Sequence, residues 1–153
     1  MYCLFYEKDL LLEATRLGAH HFKLVHDRFV EKAEHLQGLM RKHVHGDIDP
    51  LVALRNVFEA DNAYIVSGYL VVFNLTEMWW SDTPILAEQL VFALEPTDGF
   101  SAVTEFLEQK AREAGAKFVC VGTALAKNDK ALASLYEKQG YQRMAINLAK
   151  EIS

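Results

Sequence analysis

A chain of 153 residues, 51% hydrophobic and with a formal charge of −5, is sized for one domain whose core closes without disulfides or metal. Its Lys and Arg residues are scattered and outnumbered, which leaves no basic surface for a phosphate backbone and argues against nucleic acid as a partner. Apolar runs such as GYLVVF and LVFAL fall far short of the roughly 20 residues of a membrane span, and MYCLFYEKDLLLEATR has acidic breaks where a secretory leader is apolar. No membrane partner is expected, and a cytoplasmic address is the simplest. Cys3 and Cys120 are far apart in sequence, and Cys120 sits in an apolar run, as free thiols of a reducing compartment do.

From Asp9 to about His45, Leu10, Leu17, Phe22, Val25, Phe29, Ala33 and Leu36 recur at helical spacing, with a break near Gly18, which predicts two helices. DIDPLVALRNVFEADN has an acidic cap region, a proline in its first turn and apolar Leu51, Leu54, Val57 and Phe58; this predicts a third helix that stops at Asp61-Asn62. AYIVSG and YLVVFNLTEMWW, rich in β-branched and aromatic residues and split by Ser67-Gly68, read as a hairpin. ILAEQLVFALEP follows as a third strand, apolar enough to be buried on both faces, and Pro96 ends it.

SAVTEFLEQKAREAG is amphipathic, with Val103, Phe106, Leu107 and Lys110 or Ala111 at turn spacing and Gly115 as its C-cap. AKFVCVGTA is a buried-type strand. NDKALASLYEKQG is a helix capped by Asn128 or Asp129 and terminated by Gly140, and YQRMAINLAKEI alternates as a final strand. The order is therefore helices followed by β-β-β-α-β-α-β in a single domain over 1–153, with the helices in 1–62 and the sheet in 63–153.

That order, with QKAREAGAKFVCVG followed by NDKALASLYEKQGYQRM, resembles the GNAT superfamily of N-acetyltransferases over roughly Tyr64 to Lys150. Within it, WWSDTPILAEQLVFALEP is similar to phage and prophage variants. The resemblance implies an α/β fold with a mixed, mostly antiparallel central sheet flanked by helices on both faces. It also implies a V-shaped opening where LVFALEP and AKFVCVG diverge. The implied activity is direct transfer of an acetyl group from acetyl-CoA, a co-substrate, to an unidentified amine. Tyr136 would be the general acid that protonates the departing thiolate, a task suited to a phenol that stays protonated at neutral pH. Leu94, two residues before the proline, would turn its backbone to the thioester carbonyl. Gly99, Phe100, Ser101, Ala102, Val103 and Thr104 would form the pyrophosphate loop, and Asn128 would join the cofactor contacts.

The loop departs from the superfamily's Q/R-x-x-G-x-G/A pattern. The Arg or Gln falls on Gly99, and the two glycines fall on Ala102 and Thr104. Asp98 and Glu105 add negative charge beside a site meant for phosphates. Weak cofactor binding follows. The same departure suits a non-catalytic binding or structural module, such as a phage particle component, which would place the protein in a virion or host cytoplasm. A homodimer or an assembly with other proteins is an expected partnership under either reading.

A general base must take a proton from the amine. The candidates are Glu77 and Glu88 on the central strands, with Glu95 set where the strand splays. Trp79 and Trp80 either wall a substrate pocket or pack in a core or against a partner. His20, His21, His26, His35, His43 and His45 include no HExxH pair, and no metal site is expected.

Overall fold

Five strands carry the architecture of the computed structural model, which describes residues 14–39, 49–123 and 129–146 together with 148, 150 and 152. They are β1 (Ala14–Arg16), β2 (Ala63–Val66), β3 (Tyr69–Glu77), β4 (Pro84–Ala93) and β5 (Phe118–Cys120), and they lie side by side in that order. The first four pair antiparallel, β2 to β3 and β3 to β4 through short connections and β1 to β2 across the intervening helices; β5 runs parallel to β4 because a helix intervenes. The mixed, mostly antiparallel α/β class is the one expected. The described residues within Met1–His21 and Val57–Gly122 form one compact unit, and those within Phe22–Asn56 and Thr123–Ser153 form another.

In the first unit, Ser67 and Gly68 take φ of 46° and 85° and make the tight reversal that the Ser-Gly pair predicts. The crossover helix α3 (Phe100–Ala114) lays Val103, Phe106, Leu107 and Ala111 on one sheet face, against Val66, Val71, Phe73 and Leu86. All eight are buried, so this layer is the core that fixes the helix on the sheet. Gly115 ends α3 with φ of 74°, and the Ala116 N–H reaches back to the Ala111 carbonyl at 2.8 Å, the closing bond of a Schellman turn. Among the described residues, no helix is long and apolar enough to cross a membrane.

In the second unit lie α1 (Phe22–Leu39) and all but the last two residues of α2 (Pro50–Phe58). Asp49 caps α2: its Oδ1 accepts from the N–H of Leu51 at 2.9 Å and of Val52 at 3.4 Å, and Pro50 fills the position that needs no donor. The last helix, α4 (Asp129–Lys138), ends where Gly140 takes φ of 97°. Gln139 and Tyr141 both donate to the Tyr136 carbonyl, at 2.9 and 3.2 Å, and this closes the helix abruptly.

Three expectations change. Ala14–Arg16, assigned to a helix by periodicity, is a strand: it pairs with Tyr64–Val66, and Arg16 donates to the Asp61 carbonyl and the Tyr64 hydroxyl. A three-residue edge strand gains its stability from its neighbour, which periodicity does not see. The rest of that expected first helix, together with Cys3, His43, His45 and Asn128, lies outside the described residues. Among the described residues of the final strand expected over 141–152, no strand is formed: residues 141–146 carry none, and Met144, Ile146, Leu148 and Ile152 are exposed. Finally, only Ile85 and Leu86 of β4 are buried, because β5 flanks just the first part of that strand.

Candidate active site

The strands β4 and β5 pair only at Ile85↔Phe118, Leu86↔Val119 and Ala87↔Cys120. Beyond Ala87 they part, and the opening faces the end of the sheet where β4 delivers the chain to the start of α3. In open α/β sheets, ligands bind at such carboxyl ends, where neighbouring strands diverge.

A bulge accompanies the parting. Leu90 opposes Val72 while Glu88 opposes Phe73, so Gln89 is an extra residue in β4. Bulges bend a strand and raise its twist, and they recur beside functional sites. Glu88 stands opposite Phe73, on the face that α3 covers, and is half-buried. Its Oε1 accepts the Gly122 N–H at 2.9 Å, which ties the last turn of β5 to the root of the fork. Burial lifts the Glu88 carboxyl above the usual carboxylate range, and the Gly122 bond partly opposes the rise. A carboxyl with a raised pKa at a strand fork is a stronger base than an ordinary carboxylate and suits proton transfer.

Glu77 is exposed at the opposite end of the same ladder, paired with Pro84. Four residues of strand separate that pair from Glu88, roughly 13 Å. Trp79 and Trp80 also lie at that far end; their rings meet edge to face at 5.5 Å and are 91% and 66% exposed, so they do not pack in the core. A cavity of about 170 Å³ lies near the C-terminal end of α3, lined by residues including Tyr64, Phe73, Leu75 and Lys110, and Phe73 is also the residue opposite Glu88.

Leu94 is buried, and its N–H donates to the Gly68 carbonyl at 2.9 Å. Antiparallel pairing alternates, so Leu90 and Phe92 also turn their N–H groups to β3, and Val91 and Ala93 turn theirs to the edge that β5 has left. The donors facing the fork are thus Val91 and Ala93, which the sequence reading missed; their parity is legible only once the turn and the bulge are known.

The loop before α3 is tied to the hairpin by Thr97. Its hydroxyl donates to the Ser67 carbonyl at 2.9 Å and accepts the Gly99 N–H at 3.0 Å. Gly99 is the N-cap, with φ of −80° and no side-chain cap, and the N–H groups of Ala102 and Val103 turn inward to its carbonyl. Gly99 is therefore not held by its backbone angle; a Cβ there would meet the Ser67 Cβ at 2.6 Å. Val103 and Thr104 are buried, and the Thr104 hydroxyl donates to the Ser101 carbonyl. That leaves Gly99, Phe100, Ser101 and Ala102 as the accessible part of the loop. Tyr69 sits beside it, edge-on to Phe100 at 6.4 Å, with its phenol pushed up by burial and by Asp98.

Tyr136 belongs to the second unit. It is buried, and its ring packs edge to face on Tyr141 at 5.3 Å. Arg143 grips Glu137 through Nε and Nη2 at 2.8 and 3.4 Å, which fastens the chain after the turn to the helix. Cys120 is a half-buried free thiol at the last rung of the β4–β5 pairing, and burial raises its pKa, which disfavours the nucleophilic thiolate. Among the described residues, no group of three or more His, Cys, Asp or Glu side chains is placed to hold a metal.

No protein-family profile matches the chain, and no curated protein matches it in sequence. Solved structures do match it in shape. A probable acetyltransferase superposes with a TM-score of 0.63 at 15% identity, covering 92% of this chain and 97% of its own. The fold is that of acetyltransferases. The aminoglycoside N-acetyltransferase AAC(6')-Iy, solved in complex with CoA, matches with a TM-score of 0.55 at 11% identity over 91% of this chain and 93% of its own. The same acetyltransferase fold is found in a transcriptional regulator from Bacillus halodurans C-125, with a TM-score of 0.56 at 11% identity over 91% and 98%. At such identities the likeness concerns the fold, and function must be argued from the site.

Proposed function

We propose that the protein transfers an acetyl group from acetyl-CoA to an amine by direct attack, with the β4–β5 fork as the slot for the co-substrate. The observation that carries this reading is the parting of β4 from β5 after Ala87, with the backbone of Val91 and Ala93 turned to the open edge and Glu88 at its root. An extended pantetheine arm, with its amide groups, suits such an edge, much as a peptide suits an exposed strand.

Glu88 takes the N–H proton that the neutral amine gives up as its nitrogen attacks the thioester carbon. The C–N bond forms, the tetrahedral centre collapses, and the C–S bond breaks toward the thiolate of CoA. Tyr136 is assigned the proton that the thiolate receives, on the strength of the LYEKQGY resemblance and the chemistry of a phenol. The N-terminus of α3 supplies backbone donors for the pyrophosphate around Ser101. Asp98 and Glu105 oppose it, and Gly99 stands where the superfamily pattern has its Arg or Gln. A charge-assisted hydrogen bond to phosphate contributes roughly 1.5–3 kcal/mol, so affinity should be roughly 10- to 100-fold below that of a site that has one.

The same loop supports a second reading, a non-catalytic binding module that keeps the fold and has lost the cofactor. Calorimetric titration with acetyl-CoA separates the two. Heat of binding in the micromolar to millimolar range, with acetylation of a panel of amines, upholds the enzyme; a flat titration at millimolar acetyl-CoA on folded protein leaves the binding module.

A further inference from the structure

We propose that the cavity at the C-terminal end of α3 binds a small zwitterion, an α-amino acid with an aliphatic side chain. Residues including Asn62, Tyr64, Phe73, Leu75, Lys110 and Glu113 line about 170 Å³ there. A cavity of roughly 150 Å³ holds a benzene-sized ligand, so this one, open on its solvent side, takes a molecule of roughly six to nine heavy atoms. It contains none of the residues assigned to acyl transfer, although Phe73 stands opposite Glu88.

The apolar part is held rigidly. Tyr64 lies nearly parallel to Phe73, with 6.0 Å between ring centres, and edge-on to Phe106 at 5.0 Å. Arg16 stands over the Tyr64 ring at 4.7 Å and donates to its hydroxyl at 2.6 Å, which fixes the outer end of the ring. Phe73 is buried, and its N–H donates to the Asn62 carbonyl at 3.1 Å. Leu75, two residues further along the same face of β3, is 48% exposed and is the wall that an aliphatic side chain would cover.

The polar part carries both signs of charge. Lys110 and Glu113 are neighbours one turn apart on α3; Nζ and Oε1 are 3.4 Å apart, and the side chains are 26% and 53% exposed. Lys110 Nζ also lies 5.0 Å from the centre of the Tyr64 ring, which keeps the ammonium at the cavity wall. An ion pair this long and this wet contributes little. A ligand that brings a carboxylate to Lys110 and an ammonium to Glu113 replaces one weak contact with two charge-assisted hydrogen bonds. The Asn62 amide, which both donates and accepts, serves either group. A simple anion is opposed by Glu113 and a simple cation by Lys110, so a molecule with both charges close together fits best, and amino and carboxylate groups on one carbon have that spacing. An ammonium held by Glu113 keeps its proton and is no nucleophile, so this ligand is bound and not acetylated.

The test is an NMR titration of the full chain with L-leucine, repeated with 4-methylpentanoate, which lacks the ammonium, and with 3-methylbutylamine, which lacks the carboxylate. L-leucine should bind in the millimolar range and shift the signals of the lining residues, and each analogue should bind about tenfold more weakly, the loss of one charge-assisted hydrogen bond. In Lys110→Met the carboxylate should cease to matter, so that L-leucine and the amine bind alike; in Glu113→Gln, L-leucine and the acid should bind alike. No shift at tens of millimolar L-leucine overturns the proposal. So do shifts confined to other residues, and so do equal affinities for all three ligands, which would mark an apolar crevice. Variants that weaken all three ligands equally overturn it as well. Should either variant not fold, the order of the three ligands on the wild type decides alone.

Discussion

Glu88 and Gly122 are 34 residues apart in sequence and meet at 2.9 Å, carboxylate to backbone N–H, at the point where β4 and β5 stop pairing. One side chain thus marks the root of the fork, holds the end of β5 and carries a raised pKa. Its two roles are separable by substitution, because glutamine keeps an acceptor for Gly122 and loses the base.

Glu88→Gln should lower turnover by roughly 100- to 10,000-fold, the range of a lost general base, with little change in acetyl-CoA affinity. The wild-type rate should rise with pH through an acid limb above the ordinary carboxylate range, since the base acts deprotonated and burial lifts its pKa. That limb should vanish in the variant. Stability runs the other way. A raised folded-state pKa means that the stabilising contribution of the protonated form is present below the unfolded value and is lost as pH rises through the folded one, so the stability of wild type relative to Glu88→Gln should decline over that window. Chemical denaturation across pH reads it, and a pH-independent difference would show that Glu88 does not titrate as described.

Tyr136→Phe should reduce kcat and leave acetyl-CoA binding within about twofold, because only a transition-state proton transfer is removed. The ring, which packs on Tyr141, is kept. Equal losses in kcat and in affinity, measured by steady-state kinetics beside calorimetry, would assign the tyrosine to packing.

Gly99→Ala should destabilise the protein by about 1–3 kcal/mol, the cost of overpacking, since the new Cβ falls 2.6 Å from the Ser67 Cβ. Ser67→Gly removes the obstacle and suits a residue already at φ of 46°. The double variant should recover most of the loss, and the coupling energy from urea denaturation measures the contact. Additive effects would mean that the loop moves away instead.

Much of this fold is legible along the chain. The Ser67-Gly68 reversal, Asp49-Pro50 at a helix start and Gly115 and Gly140 at helix ends are local chemistry, and each is where the sequence puts it. The fork was expected only through the family resemblance, and the parting of β4 from β5 after Ala87 agrees with it. What was not legible depends on partners distant in sequence. β1 exists through its pairing with Tyr64–Val66, and the bulge at Gln89 leaves no local mark, so the assignment of donors to Val91 and Ala93 in place of Leu94 needed the register. Gly99 appears in sequence as a lost arginine; in three dimensions it is the residue that lets the loop pass Ser67.

That packing decides how the loop can be tested. Arginine at 99 clashes with Ser67, and glycine at 104 would empty a site where Thr104 is 1% exposed and bonded to the Ser101 carbonyl. The accessible changes are Ala102→Gly and Asp98→Asn. Removing the Asp98 charge should tighten acetyl-CoA binding by roughly 2- to 5-fold, which corresponds to about 0.3–1 kcal/mol for a charge near a helix N-terminus. The same substitution should cost the apo-protein up to about 1 kcal/mol, because an acidic group there favours the helix dipole when no phosphate is bound. Binding and stability therefore move in opposite directions, a pattern that general loosening of the loop cannot produce. Adding Ala102→Gly should tighten binding further at a helix-propensity cost. If calorimetry shows no gain from either change while denaturation shows the expected loss, the N-terminus of α3 does not receive a pyrophosphate, and the acetyltransferase reading gives way to the binding module.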